Sequence, residues 1–368
     1  MNNLMKLLIV CPEYSIHSVK WLNAFAKKGY EVHSCFCKGQ EEKMGMLDGK
    51  IIRHMMPFKA PFGYFLNIPY FRKIVKRIKP DIIHVHRASS YATLARLSKI
   101  KPDVLSIWGS DVYDFPYRSR RNKTVITKNL SYAKILASTS GEMAKQARFF
   151  LADKTKTIYV TPFGVDTSSF YPYHIQHPDI VVGTVKTLSP TYGIDTAIRS
   201  FANALSRLKD CKYNDIADKL KYYIYGKGPM LSELKNLIKE LGLEDRIMLC
   251  GYIKNSEVPS VLNQFDVFLL ASRSESFGVA AVEAMACSLP IIATKAPGFL
   301  EVVDNGVNGI LVDIDNVDEM GNALFKMLTD SLLRKEYGQN ARKKVLQLYD
   351  WKDNVDYMES LYLEAKND

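Results

Sequence analysis

Short apolar runs alternate with helical segments along almost the whole chain, and the alternation occurs in two successive blocks. In the first block KLLIVCP, YEVHSCFC, DIIHVH, VLSIW, KILAST and TIYVTPFGVD have the length and residue types of buried strands. Helical stretches such as VKWLNAFAKKG and residues 140–150 stand between them. Strands separated by helices pair side by side in one direction, which predicts an α/β architecture with helices on both faces of a parallel sheet. The second block repeats the pattern with IVVGTV, KYYIYG, IMLCG, VFLLAS and LPIIAT, with helices at 194–208 and 230–241 and a helix pair at 317–328 and 332–348. YPYHIQHPD divides the blocks, and 368 residues suffice for two domains with a core each. Ligands of such sheets bind where the strands end, so a cleft between the two domains is the expected site. The turn after the first strand reads PEYSIHS, without the GxGxxG that lets a backbone approach a pyrophosphate, which disfavours a dinucleotide oxidoreductase.

One segment, VFLLASRSESFGVAAVEAMACSLPIIAT (267–294), carries the most chemistry. A strand runs into a polar loop containing Glu275, and a helix of small residues follows with Glu283 in it. Were all of it helical, eight residues would turn the second acid by roughly 80° from the first, so a shared pocket is easier to build with Glu275 on the loop. The amides of Phe277, Gly278 and Val279 would then point into that pocket, where a helix start attracts phosphate. Carboxylates beside it suit sugar or ribose hydroxyls. Glu283 is flanked by small and apolar residues, and a carboxylate buried there without a partner would cost several kcal/mol. A nucleotide sugar carries all the groups this arrangement would hold.

Charge is unevenly placed: residues 1–175 carry +16 and the remainder −5. Residues 58–79 interleave six aromatics with Arg72, Lys73, Lys76, Arg77 and Lys79, as a surface touching anionic lipid would. YDFPYRSRRNK (113–123) is a second such stretch. The plainer reading of the first gives Phe71, Ile74, Val75 and Ile78 to the core face of an amphipathic helix, which leaves the aromatic loop before it unexplained. No nucleic-acid recognition module accompanies the basic half. Six cysteines without CxxC spacing read as reduced core thiols. No apolar run approaches the roughly 18 residues of a membrane span, and MNNLMKLLIVCPEYS is quickly polar, so a cytoplasmic chain is expected.

The E-x7-E pair in ESFGVAAVEAMACSLPIIAT, with TPFGVDTSSFYP, LSPTYGIDTAIRSF, YGKGPM, LCGYIKNSEVPSVLNQFDVFLLAS and APGFLEVVDNGVNGILV, resembles retaining glycosyltransferases of family 4, which have the GT-B fold. The resemblance implies two Rossmann-like domains facing across a cleft: residues 1–172 on the acceptor side, completed by a crossing helix at 351–368, and residues 178–350 holding the nucleotide sugar. It assigns Glu275 to the donor sugar and Glu283 to the ribose. The family clamps the leaving diphosphate with an arginine and a lysine five positions apart. Thr187 and Tyr192 stand there instead, so the charge must come from Lys186 or from Lys227 in the GKGP turn. Gly226 and Gly228 would serve that turn and a close ligand approach.

On the acceptor side SIWGSD puts Trp108 where the family has a histidine and Asp111 at its acid. Trp108 stacks on a sugar or fills the core. Of the two histidines in DIIHVH, His86 at the strand end is the catalytic candidate and His84 the packed one. His17 and Ser18 follow the first strand, near the phosphates in relatives. Asp313 and Asp315 form a D-x-D pattern that in glycosyltransferases of the other fold binds a divalent metal; here a turn is expected, with neither metal nor cofactor. The implied activity is sugar transfer from a nucleoside diphosphate donor to a lipid-linked or polysaccharide acceptor at the inner face of the membrane. The alternatives are a silent nucleotide-sugar-binding subunit, suggested by Thr187, Tyr192 and Trp108, and a GT-B sugar-nucleotide epimerase.

Overall fold

In the computed structural model, which describes residues 5–173, 175 and 177–367, the chain divides into two compact units. The first runs to Phe163 and takes in Lys352 onward; the second is Gly164–Trp351. His174 and Gln176 of the dividing segment and the first four residues lie outside the described positions.

The first unit holds seven strands: β1 (Lys6–Val10), β2 (Glu31–Cys37), β3 (Ile52–Met56), β4 (Ile82–His86), β5 (Val104–Ile107), β6 (Ile135–Ser138) and β7 (Ile158–Val160). They form one parallel sheet in the order β3-β2-β1-β4-β5-β6-β7. β1, β4 and β5 are buried end to end except for the first residue of β1, as apolar runs covered on both faces should be. Among the helices are α1 (Ile16–Lys27), α2 (Ile68–Ile78) and α3 (Arg120–Tyr132). The order turns back between β1 and β4, so the loops after these two strands part there.

The second unit has six strands: β8 (Ile180–Val185), β9 (Leu220–Tyr225), β10 (Ile247–Gly251), β11 (Val267–Leu270), β12 (Ile291–Thr294) and β13 (Gly309–Val312). They are again all parallel, in the order β10-β9-β8-β11-β12-β13, with the reversal between β8 and β11. Helix α4 (Val279–Ala286) follows β11 and buries Ala281, Val282, Ala284, Met285 and Ala286.

The last helix, α5 (Trp351–Asn367), leaves the second unit and packs as part of the first. Met358, Leu361, Tyr362 and Ala365 are its fully buried stripe. The Tyr362 hydroxyl meets His84 Nδ1 at 2.6 Å, and Lys28 sits 2.6 Å from Asp356 and 2.5 Å from Glu359. His84 also reaches Ser106 Oγ at 2.7 Å through Nε2, so both its nitrogens are satisfied in the core. Among the described residues no helix is long and apolar enough to cross a membrane.

Candidate functional site

The reversal of the second sheet is where its candidate residues Lys186 and Glu275 meet. Lys186 is the first residue after β8 and Glu275 lies in the loop after β11, on the two strands that flank the reversal. Their side chains meet: Lys186 Nζ donates to Glu275 Oε2 at 2.7 Å, with only 14% and 12% of the two side chains exposed. The same ammonium stands 4.5 Å from the centre of the Tyr192 ring, close enough for a cation–π attraction. Thus the residue at the second clamp position is in contact with the lysine one step before the first.

Four glycines let the loops close up around this pair. A Cβ on Gly226 would lie 1.8 Å from the Lys186 carbonyl oxygen, one on Gly228 2.1 Å from that of Leu188, and one on Gly193 2.0 Å from that of Ala271. Gly298 would bring one to 2.5 Å from the Phe277 nitrogen. The close approach at Gly226 and Gly228 is therefore made by the protein's own backbone. Any side chain at these points would push the loops after β8, β9, β11 and β12 apart.

Arg273, which no local motif marks, ties the assembly. Its amide donates to Thr191 O at 2.8 Å, and its guanidinium reaches Pro190 O at 2.6 Å, Asp195 at 2.7 Å and Asp315 at 2.9 Å. The loop bearing Tyr192 is thereby fastened to the loop bearing Glu275. The guanidinium holds the Asp315 carboxyl below its ordinary pKa, and the paired acids raise that of Arg273. Asp313 is paired with Lys295 at 2.6 Å, and the D-x-D triplet is the expected turn. The signal was invisible in sequence because the partners of Arg273 stand 78 and 42 residues away.

Helix α4 begins directly after Gly278, whose φ of 93° suits glycine and whose Cβ would lie 2.9 Å from the Phe299 ring. The first-turn amides of such a helix have no acceptor within it. Val279 and Glu283 are half-buried, one turn apart on α4. Phe277 contributes no side chain to a ligand surface, since its ring is 2% exposed and packs edge-on against Tyr349. Lys227 is exposed and stands 4.7 Å over the Tyr252 ring, while its carbonyl accepts from the Leu188 amide.

The candidates in the first unit are placed differently. Asp111, expected to be catalytic, has no exposed surface and accepts hydrogen bonds from the amides of Ala88, Ser89 and Trp108 and from the Ser89 hydroxyl. Burial still pushes its carboxyl pKa upward against those donors. It fastens the loops after β4 and β5 through partners of which Ser89 is only half-buried. Ser18, expected at the donor, is likewise fully buried, with its hydroxyl 3.5 Å from His86 Nδ1. His86 has no exposed surface either, so its catalytic assignment also gives way to a buried one. Among the described residues its Nε2 finds no hydrogen-bond partner, and burial beside His84 lowers its pKa well below the usual histidine value. Trp108 is 7% exposed and packs with His86, His17 and Phe163, a core position. His17 stacks on Phe163 with ring centres 3.8 Å apart.

Two all-parallel Rossmann-like sheets, with an acid–lysine pair where the second reverses and a terminal helix returned to the first, define an α/β protein of the GT-B class. The family described as Glycosyl transferases group 1 matches residues 168–344, and Glycosyl transferase 4-like matches residues 6–140. The chain belongs to these GT4-type glycosyltransferases. It is 23% identical over 365 residues to N-acetyl-alpha-D-glucosaminyl L-malate synthase of Bacillus anthracis, covering 93% of this chain and 91% of that one. It is 26% identical to the UDP-Gal:alpha-D-GlcNAc-diphosphoundecaprenol alpha-1,3-galactosyltransferase of Escherichia coli, over 79% of this chain and 77% of that one. The structure of Anabaena HepE in complex with UDP superposes with a TM-score of 0.79 at 17% identity, covering 97% and 99% of the two chains.

Proposed function

We propose that the protein is a retaining glycosyltransferase that takes a sugar from a nucleoside diphosphate donor and passes it to a lipid-linked or polysaccharide acceptor at a membrane surface. The observation that carries this reading is the Lys186–Glu275 pair at the reversal of the second sheet. In glycosyl transfer negative charge grows on the departing diphosphate, and a fixed cation beside it lowers the barrier. Lys186 supplies that cation in place of the clamp, with Tyr192 against the ammonium and Arg273 holding the loop that bears Tyr192 through Pro190 and Thr191. Glu275 faces the sugar and Glu283 the ribose, with the start of α4 toward the phosphates. When donor binds, the ammonium exchanges part of its contact with Glu275 for the diphosphate, freeing the carboxylate to accept from sugar hydroxyls.

The D-x-D carboxylates are taken up by Lys295 and Arg273, which supports transfer without a divalent metal at that triplet. The membrane part rests on residues 58–79, where Phe62, Phe65, Leu66 and Tyr70 are 74%, 56%, 52% and 44% exposed beside exposed Lys59, Lys73 and Lys76. What the two relatives are named for, transfer to a small acid and to a lipid diphosphate, supports donor chemistry more closely than it does one acceptor. The test is to incubate the purified protein with UDP-, GDP- and ADP-sugars and measure release of the nucleoside diphosphate and the anomeric configuration of the product. Slow donor hydrolysis or transfer with the donor's configuration kept is the expected result. Protection of every donor from cleavage would instead mark a silent binding subunit.

A further inference from the structure

Helix α3 presents a long polar face that the donor site does not use. Its sequence, RRNKTVITKNLSY, holds four cations and no carboxylate, and it buries only Ile126, Asn129 and Leu130. Arg120, Lys123, Thr124, Thr127, Lys128 and Ser131 recur at three- and four-residue steps, which places them on one side of the helix. Two adjoining hollows follow that side. One, of about 490 Å³, is lined by Arg120, Lys123, Thr124, Thr127 and Lys128; the other, of about 370 Å³, shares Thr127 and Lys128 and adds Arg96. Among the described residues Arg120, Lys123 and Lys128 form no ion pair, and no acid lines either hollow. The Arg96 guanidinium is anchored by Asn129 Oδ1 at 2.7 Å, and Asp153, next to the lining residue Ala152, is engaged by the Thr155 amide and hydroxyl.

A row of cations without counter-charges is held together against its own repulsion, and a ligand carrying repeated negative charge relieves it. This face differs from the aromatic stretch before α2. Of 113–123, Tyr113 and Phe115 pack against the core and Tyr117 alone among its aromatics is exposed, whereas Phe58, Phe62, Phe65 and Tyr70 are all exposed in the other stretch, so this face has far less to insert between lipid chains. From Arg120 to Ser131 the helix rises about 16 Å, long enough to engage successive phosphates of an extended chain. We infer that the α3 face is a docking track for a phosphodiester-linked glycan or polyol-phosphate chain. Its service as an acceptor track rests on the glycosyltransferase reading; its affinity for the chain does not.

Binding is therefore measured without donor, by titrating fluorescently labelled poly(glycerol phosphate) into the full-length protein and into an Arg120→Ala/Lys123→Ala/Lys128→Ala variant. All three side chains are exposed, so the variant keeps its melting temperature as a control of folding. Expected are an affinity loss of tenfold or more and a salt dependence of log K shallower by about 2, as loss of three cation–phosphate contacts on a flexible chain requires. Unchanged affinity overturns the proposal. So does a single-stranded DNA of equal charge that binds as tightly and loses affinity with the same triple change, which would make the face a nucleic-acid surface. Loss of anionic-vesicle binding in the triple variant, with polymer binding intact, would assign it to the membrane instead. A protein that binds the polymer but never cleaves a sugar nucleotide would uphold this track and refute the transferase reading.

Discussion

Lys186 and Glu275 share one hydrogen bond of 2.7 Å in a setting where most of both side chains is covered, and this defines what each substitution should do. Glu275→Gln keeps the shape and an acceptor oxygen but removes the charge that orients the lysine. The expected outcome is a folded protein whose turnover falls on the order of a hundredfold, the scale seen when one charge-stabilising group is removed from an active site. Near-normal transfer by a variant with an unchanged melting curve would count against the role given to Glu275. Tyr192 and Thr187 mark a departure from the family at sequence level, yet in space the lysine ammonium stands against the tyrosine ring, so a cation remains at this point of the fold. That contact depends on a rotamer and on a loop held by Arg273, neither of which can be read from residue order. Asp111, by contrast, matches a family position and proves to be a buried fastener with four donors around one carboxylate.

At the scale of elements, the buried strands were legible because covering both faces demands continuous apolar runs, and VFLLAS, LPIIAT and IVVGTV show them plainly. Strand β3 leaves no such mark: IRHMM lies at the sheet edge, four of its five residues are not fully buried, and no apolar run distinguishes it. Helix α3 is equally hard to read from the sequence, since three buried residues in thirteen leave hardly any periodic signal. The core reading of 58–79 holds for the helix, and the aromatic loop before it lies at the surface. Phe71 and Ile78 are buried with Ile74 and Val75 packed against the core, while Phe62, Phe65 and Leu66 stay outside. Asn67, fully buried, holds that aromatic loop in place by accepting from the Phe58 amide at 3.1 Å and donating to its carbonyl at 2.9 Å. Arg77 lies 3.1 Å from His54 Nδ1, so Lys59, Lys73 and Lys76 make the cleaner set for neutralisation. At about 1 kcal/mol per cation near an anionic surface, replacing all three with Gln should weaken vesicle binding on the order of a hundredfold. Unchanged co-sedimentation with phosphatidylserine vesicles would remove the membrane surface from the account.

For the molecule as a whole, four histidines of the first unit are kept neutral by burial. His17 and His54 are pushed down to about 4, His84 to about 3, and His86 well below its usual value. The unfolded chain binds protons on these groups from about pH 6.5 downward while the folded unit does not. Stability of the first unit is therefore fully present above pH 6.5 and drains as pH falls toward 4. Trp21 and Trp108 lie in this unit and Trp351 in the other, so a Trp351→Phe variant reports on it alone by fluorescence. Its urea midpoint should fall steadily from pH 7 to pH 5; a flat response would show that these rings are protonated without penalty. The two-block organisation was the most legible feature of the chain, because alternation of strand and helix is written in composition, whereas the pairing of Lys186 with Glu275 spans 89 residues and only the fold creates it. The central claim is that this pair receives a diphosphate. It is tested by calorimetric titration of UDP, GDP and ADP, and of the matching monophosphates, into the wild type and Lys186→Met. For the base the protein prefers, diphosphate affinity should fall at least tenfold, about 1.4 kcal/mol, with the monophosphate little affected; an equal diphosphate affinity in the two proteins would contradict it.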